Sequence, residues 1–361
     1  MKKLSHKAIK LLQDLISIKS FSSEEDKTAE RIGQWFSHHN IPFKKQDHNV
    51  YAFNKFFNKN KPTLLLNSHH DTVNPNSAYT RDPFHPQIED GKLYGLGSND
   101  AGGALVSLIA LFTHYFDHPN PKYNLIIAAT AEEESSGDLG LNSLLPSLPK
   151  IDVAIVGEPT LMQLAIAEKG LIVFDGKVEG TASHAAHPNE DNPISKLPKV
   201  IKWLENFSFE KESETLGPVK LTVTQVIAGR QHNVVPASLN IVVDVRVNDC
   251  YSNKEIVTLL QQDSPLALFP RSLNLNSSSI SLEHPLVKAG VELGRSTYGS
   301  PTLSDQAKLS CPSLKLGPGD STRSHTADEF IFVKEIEEGI DLYINLLKKH
   351  ISKYGKPDIV H

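Results

Sequence analysis

Cysteine occurs only twice in this chain of 361 residues. Cys250 and Cys311 therefore build neither a disulfide framework nor a cysteine-rich zinc site. No apolar run approaches the length needed to cross a membrane. An excess of one charge sign is missing too, with 37 Lys and Arg against 42 Asp and Glu, so no nucleic-acid footprint is expected. The start, Met1-Lys2-Lys3-Leu4, has the charge of a signal peptide without its apolar core. Ile9, Leu12 and Ile16 instead recur at helical spacing, which predicts an amphipathic first helix in a cytoplasmic protein. The segment Gly95–Gly103 misses the dinucleotide spacing G-x-G-x-x-G and is followed by no P-loop lysine. H-E-x-x-H and G-x-S-x-G are absent, which argues against a helix-borne mononuclear zinc protease and a serine-hydrolase elbow. There is no internal repeat and no low-complexity tract.

What remains is a soluble globular composition, 39% hydrophobic and 22% charged, long enough for two domains. Helical patterns cover roughly 5–18 and 26–39, and strands and helices then alternate to about residue 168. The stretch from 101 to about 116 is apolar on most sides and predicts a buried helix. Beyond Lys169-Gly170 the texture turns β-rich at 171–178, 219–227 and 239–247, with helical patterns at 193–206 and 252–262. The polar run Asn276-Ser277-Ser278-Ser279 is expected to hold the last strand of that region and the return linker. A final amphipathic helix begins at Val333. These textures predict a discontinuous catalytic domain, 1–170 with 282–361, interrupted by an α+β domain at 171–281.

Four apolar runs end in residues that bind metals. Thr63-Leu64-Leu65-Leu66 leads to Ser68-His69-His70-Asp71, and 125–130 leads to Glu132-Glu133-Glu134. Val153-Ala154-Ile155-Val156 leads to Gly157-Glu158-Pro159, and 312–316 leads to Gly317-Pro318-Gly319-Asp320, with His325 beyond. Short apolar runs bounded by glycine, proline or polar clusters read as buried strands, and open α/β sheets bind ligands outside the carboxyl ends of their strands. Each cluster alone has a plainer reading: a surface histidine pair, Asp100 as a helix N-cap, a solvated acidic loop, a lone structural histidine. Together they offer more ligands than one tetrahedral zinc needs, and a nitrogen and oxygen set that suits zinc, cobalt or manganese. Two ions sharing a carboxylate would use all of them.

Ser68-His69-His70-Asp71, Gly97-Ser98-Asn99-Asp100, Thr130-Ala131-Glu132-Glu133-Glu134 and Val156-Gly157-Glu158-Pro159 occur in an order that resembles the co-catalytic di-zinc aminoacylases. That group includes acetylornithine deacetylase and succinyl-diaminopimelate desuccinylase. The resemblance implies an α/β, zinc-peptidase-like catalytic domain, its mixed sheet sandwiched by helices, and an inserted α+β lid and dimerisation domain that makes a homodimer. It also implies that His69 and Glu158 hold one metal, Glu134 and His325 the other, with Asp100 between them. Asp71 would orient His69, and Glu133 would be the general acid and base. In 180–188, His184 matches the histidine that polarises the scissile carbonyl, with His187 as a competitor. Asn233, Arg246 and Gly317 are expected at the substrate, Arg246 as a carboxylate clamp unless it is spent on Asp244 or Asp249.

The expected reaction is metal-dependent hydrolysis of the amide bond of an N-acyl amino acid. The three consecutive glutamates and the segment from Leu316 to Glu329 resemble the acetylornithine branch, so N-acetyl- or N-succinyl-ornithine or -citrulline, in arginine biosynthesis, is the expected substrate. A succinyl-diaminopimelate desuccinylase, a general aminoacylase or a dipeptidase is the alternative. A non-catalytic amino-acid-binding relative is more remote, because every expected position is filled.

Overall fold

A computed structural model of the chain describes residues 2–119 and 122–354. Residues 355–361 of the expected segment 282–361 lie outside them. The described chain forms two compact units. The larger comprises Met1–Ile166, Ser279–Tyr298 and Ser304–His361, and the smaller comprises Ala167–Ser278 and Gly299–Leu303. The short piece 299–303 belongs with the smaller unit, a return that no composition shift marks.

In the larger unit the strand Thr63–His69 lies between Asn124–Thr130 and Val153–Val156 and runs parallel to both. The strand Ser313–Lys315 continues the parallel set beside Val153–Val156. Phe43–Gln46 and Asn49–Phe53 add an antiparallel edge next to Asn124–Thr130, and Leu164–Glu168 turns antiparallel to Ser313–Lys315. The central strands are buried at every residue, as parallel sheets covered on both faces require. Successive side chains alternate between the faces. Leu64, Leu66, Leu125, Ile127, Val153 and Ile155 enter the main core with the helices Lys2–Ile16, Asp26–His38, Gly103–Tyr115 and Val333–Tyr354. Leu65, Ile126 and Ala154 enter a second core with Leu144, Phe57 and Leu148.

The helix Gly103–Tyr115 forms as expected from its nearly all-round apolar surface. Glycines at its start admit close neighbours: a Cβ on Gly102 would lie 2.4 Å from the Gly97 carbonyl oxygen. The preceding turn, Ser98–Gly102, is not part of that helix and contains a cis peptide between Asp100 and Ala101. Asp100 is therefore delivered by a separate loop rather than by a simple N-cap.

The smaller unit is a four-stranded antiparallel sheet in the order Lys220–Ala228, Ser238–Val247, Gly170–Glu179, Ala267–Pro270. Its helices, Pro193–Asn206 and Asn253–Gln262, pack Val200, Leu204, Ile256 and Leu260 onto Ile172, Phe174 and Val243. Ser252 and Glu255 close a capping box on the second helix. The last strand of this sheet is Ala267–Pro270. The serine run expected to supply it instead forms Ser278–Ser279, next to Leu164–Glu168 in the large sheet, and Ile280 N–H donates to the Ile166 carbonyl at 2.8 Å. The apolar Leu266 and Leu268 fill the small core, which the polar run could not have done. No described helix is long and apolar enough to cross a membrane.

The C-terminal helix carries a pH-sensitive contact. The buried ring of His350 stacks on His284, centroids 6.4 Å apart. Burial, reinforced by the neighbouring His284, lowers its pKa to about 4. Between that value and the roughly 6.5 of an exposed histidine, the unfolded chain binds a proton that the folded chain refuses. Stability should therefore fall as pH drops through this window, by up to about 1.4 kcal/mol per pH unit from this group. His350→Leu should lose Tm less steeply than the parent between pH 6.5 and 4.5 in circular-dichroism melts. An equal slope would show that the contact contributes nothing.

Candidate metal centre

The register of the parallel strands aligns the rim. His69 sits opposite Thr130, and Asn67 opposite Val156, so the residues that follow all three strands emerge at one edge. His69, Asp100 and Glu134 place ligand atoms within 4.8 Å of one another. His69 Nε2 lies 3.4 Å from Asp100 Oδ1 and 3.8 Å from Glu158 Oε1. On the other side His325 Nε2 lies 3.0 Å from Glu134 Oε2 and 3.7 Å from Asp100 Oδ2. Asp100 thus faces both histidines, one with each oxygen. The five residues expected as ligands come together here, His69 beside Glu158 and His325 beside Glu134, with Asp100 facing both histidines.

Several of these residues are held by neighbours outside the cluster. His69 Nδ1 donates to the Asp71 carbonyl oxygen at 3.0 Å and lies 3.4 Å from its carboxylate, which leaves Nε2 facing the other ligands. The Asp71 carboxylate accepts from the backbone N–H groups of Glu133 at 3.0 Å and Glu134 at 3.1 Å, and from Ser22 Oγ at 2.7 Å. Burial acts against its charge, but His69 and these donors outweigh it and bring its pKa down to about 2. Asp71 therefore orients the histidine and fixes the turn that carries Glu133 and Glu134.

The three glutamates separate in role. Glu132 has a left-handed φ of 52° and turns away, with its carboxylate accepting from Ser23 Oγ and from Leu139 N–H. Its own N–H donates to the buried Glu25 carboxylate. Glu134 meets His325. Glu133, half-buried, is left facing the centre: burial pushes its carboxyl well up, His69 opposes, and Glu158, Asp305 and Glu134 add to the rise.

Two residues without an expected role complete the arrangement. Glu329, buried, accepts from the backbone N–H groups of Gly97, Asn99 and Asp100 at 3.1, 2.8 and 2.9 Å. It clamps the loop that delivers Asp100. Asn99 pairs reciprocally with the Asp320 backbone, donating from Nδ2 and accepting at Oδ1, both at 3.0 Å, and so ties that loop to the one leading to His325. A carboxylate that binds backbone amides leaves no periodicity or spacing in a sequence, which is why Glu329 was legible only as part of a segment. Gly317 packs against the neighbouring ligand: a Cβ there would lie 2.5 Å from the Glu158 carbonyl oxygen.

Asp100, Glu133, Glu134 and Glu158 crowd around two imidazoles. Burial and the adjacent Asp100 push Glu158 up to about 8, against the pull of His69. Such a cluster of buried oxygen donors is costly unless cations compensate it, and the mixed imidazole and carboxylate set suits divalent first-row metals. The donors present fit the group.

In the smaller unit, the exposed His184 lies on the two-residue strand Ser183–His184, paired with Val234–Val235. Asn233 is brought next to it, since its carbonyl accepts from Ala185 N–H at 3.0 Å. His184 Nδ1 accepts from Ala186 N–H at 3.2 Å, so the neutral ring carries its proton on Nε2. Its ring centroid is 5.9 Å from that of His187. Arg246 already forms a two-toothed pair with Asp244, at 2.9 and 3.1 Å.

Comparison with known proteins agrees with this geometry. Residues 65–349 match the profile of peptidase family M20/M25/M40. The chain belongs to that family. It is a metal-dependent amidohydrolase. Over 381 aligned positions it is 26% identical to a succinyl-diaminopimelate desuccinylase of Rickettsia felis, covering 94% of this chain and 98% of the relative. Its fold is that of an M20 metallo-carboxypeptidase of Sulfolobus solfataricus, with TM-score 0.74, 18% identity and 95% and 99% of the two chains covered. A dinuclear metal-binding M20 peptidase of Bacillus subtilis is similarly close, with TM-score 0.72, 15% identity and coverage of 97% and 99%.

Glu329→Ala should free the three amides it holds and loosen Asp100. Metal affinity should drop by about 10- to 100-fold, as for other supports of metal ligands. Competition against a fluorescent chelator measures this, and parental affinity would refute the clamp.

Proposed function

We propose that this enzyme removes the acyl group from an N-acyl amino acid by hydrolysis at a two-metal centre, with N-succinyl-diaminopimelate as the favoured substrate. The convergence of His69, Asp100 and Glu134, with the carboxyl of Glu133 acting on the same His69, carries the reading. His69, Glu158, Glu134 and His325 would hold two divalent ions, zinc by preference and cobalt or manganese as substitutes, with Asp100 shared. Such ions, when bound, polarise a carbonyl and acidify water.

Glu133 takes the proton of the attacking water and later gives one to the leaving amine. A carboxyl held upward by burial suits both directions of transfer. His184, with its proton on Nε2, donates to the carbonyl oxygen as negative charge grows there. Asn233 beside it is a second polar contact for substrate, and Arg246 clamps a substrate carboxylate by exchanging it for Asp244.

The curated relatives, matched along nearly the whole chain, support the desuccinylase reading. The N-acylornithine or N-acylcitrulline reading takes second place. Among its sequence signals, Glu132 of the three glutamates is engaged with Ser23 and Leu139, and Gly317 is accounted for by packing against Glu158. A homodimer through the smaller unit is supported by the edge strand Lys220–Ala228, where Val226 and Ile227 are 44% and 62% exposed. A cytoplasmic location completes the reading.

Glu133→Ala should abolish nearly all turnover while metal content stays intact, and retained activity would remove Glu133 from the mechanism. His184→Ala should lower kcat by roughly 10²- to 10³-fold. A panel of N-succinyl-diaminopimelate, N-acetylornithine and N-acetylcitrulline, assayed with chelator and then with added Zn²⁺ or Co²⁺, decides the substrate. A higher kcat/KM on either of the last two would overturn the desuccinylase reading.

A further inference from the structure

The larger unit has an open cleft of about 490 Å³ separate from the metal ligands, lined by Leu161, Met162, Arg295, Pro318, Glu338 and Leu342. Arg295 Nε is shut off from solvent and has no hydrogen-bond partner among the described residues. An unsatisfied donor on a charged group is expensive, and an anion in the cleft, meeting the outer face of the guanidinium, would offset part of that cost by balancing its charge. Glu335 also borders the cleft, but its oxygens are taken by the Arg323 guanidinium at 2.7 and 3.0 Å and by Phe332 N–H at 3.1 Å. Glu338 differs. It is exposed and, among the described residues, meets the exposed Lys334 in the turn before it at 3.4 Å, a pair that water largely screens.

Between these opposite charges the wall is apolar. Leu161 is 47% exposed, Met162 is buried beside it, and Leu342 is half-buried. Both Leu161 and Met162 have left-handed backbones, with φ of 52° and 55°, an uncommon conformation for large side chains that collects at functional sites. Hydrogen bonds hold them there: Leu161 N–H donates to the Gly319 carbonyl at 2.7 Å, and Met162 N–H to the Gly317 carbonyl at 2.9 Å.

We propose that this cleft is a second amino-acid site, which takes a free α-amino acid with an aliphatic side chain. The guanidinium of Arg295 receives the carboxylate, Glu338 receives the ammonium, and Leu161, Met162 and Leu342 receive the side chain. A fork-shaped cation, a carboxylate and an apolar wall are the three elements that define such a zwitterion. The site is independent of which amide the metal centre cleaves.

Calorimetric titration of the metal-loaded enzyme with L-leucine tests it. Expected are a saturable heat for one site per chain, its loss with L-leucinamide, which lacks the carboxylate, and its loss with 3-methylbutanoate, which lacks the ammonium. Arg295→Met should abolish the heat, and Arg295→Lys, which keeps the charge without the fork, should weaken binding. Hydrogen exchange should slow at 161–164 and 338–342 on adding leucine. No saturable heat, heat retained in Arg295→Met, or protection at 131–134 in place of the cleft would each overturn the proposal. The two leucine analogues keep the test decisive if Arg295→Met fails to fold.

Discussion

Buried carboxylates that bind backbone amides are the constraint on which this centre depends. Glu329 gathers the N–H groups of Gly97, Asn99 and Asp100, Asp71 those of Glu133 and Glu134, and Glu25 those of Ser23 and Glu132. None of the loops at the rim has a regular ladder to satisfy its own donors, and an unpaired buried amide would be costly. A carboxylate with two oxygens and about four acceptor sites fixes several donors at once. The rim is thereby rigid without secondary structure. Sites whose members must be placed within a fraction of an ångström need such support.

This scheme makes charge balance the central electrostatic problem. The supports are anionic, and so are most of the ligands. Asp71 stays charged because His69 and three donors attend it, whereas Glu133 and Glu158 are pushed upward. The buried pair of Asp305 and Lys308, 3.1 Å apart, brings an ammonium near Glu133 and Asp71. Burial disfavours that ammonium, but the surrounding carboxylates hold its pKa above the usual value. A fold that collects this much negative charge at one edge of a sheet is arranged for cations.

Much of this was readable from residues. Continuous apolar runs marked the parallel strands, because a sheet covered on both faces has no solvent side to record as alternation. The smaller unit was legible only as β-rich texture, and the alternating burial of Gly170–Glu179 and Ser238–Val247, the mark of a one-sided sheet, emerged with the fold. The candidate ligands were legible because they follow strand ends in a fixed order. Tertiary facts were not. Glu329 acts on amides supplied by residues far back in the chain, and Arg246 could be paired or free until Asp244 was seen beside it. The serine run near 278 had the right composition for a linker and a short strand but gave no sign of which sheet would accept it.

The larger unit is discontinuous in sequence, and this bears on when the centre can exist. His69, Asp100, Glu134 and Glu158 all precede the smaller unit, while His325 and the Glu329 clamp follow it. A ribosome that has released the first 166 residues has made four of the five candidate ligands but neither the last one nor the support for Asp100. Domains generally fold as units, the first-made first. Here the first-made segment must wait, with its strand beside Val153–Val156 missing, until Ser313–Lys315 arrives. The interval is filled by a smaller unit whose chain is almost entirely its own. The centre thus awaits the chain beyond the smaller unit, and a chain truncated before residue 325 lacks both His325 and Glu329.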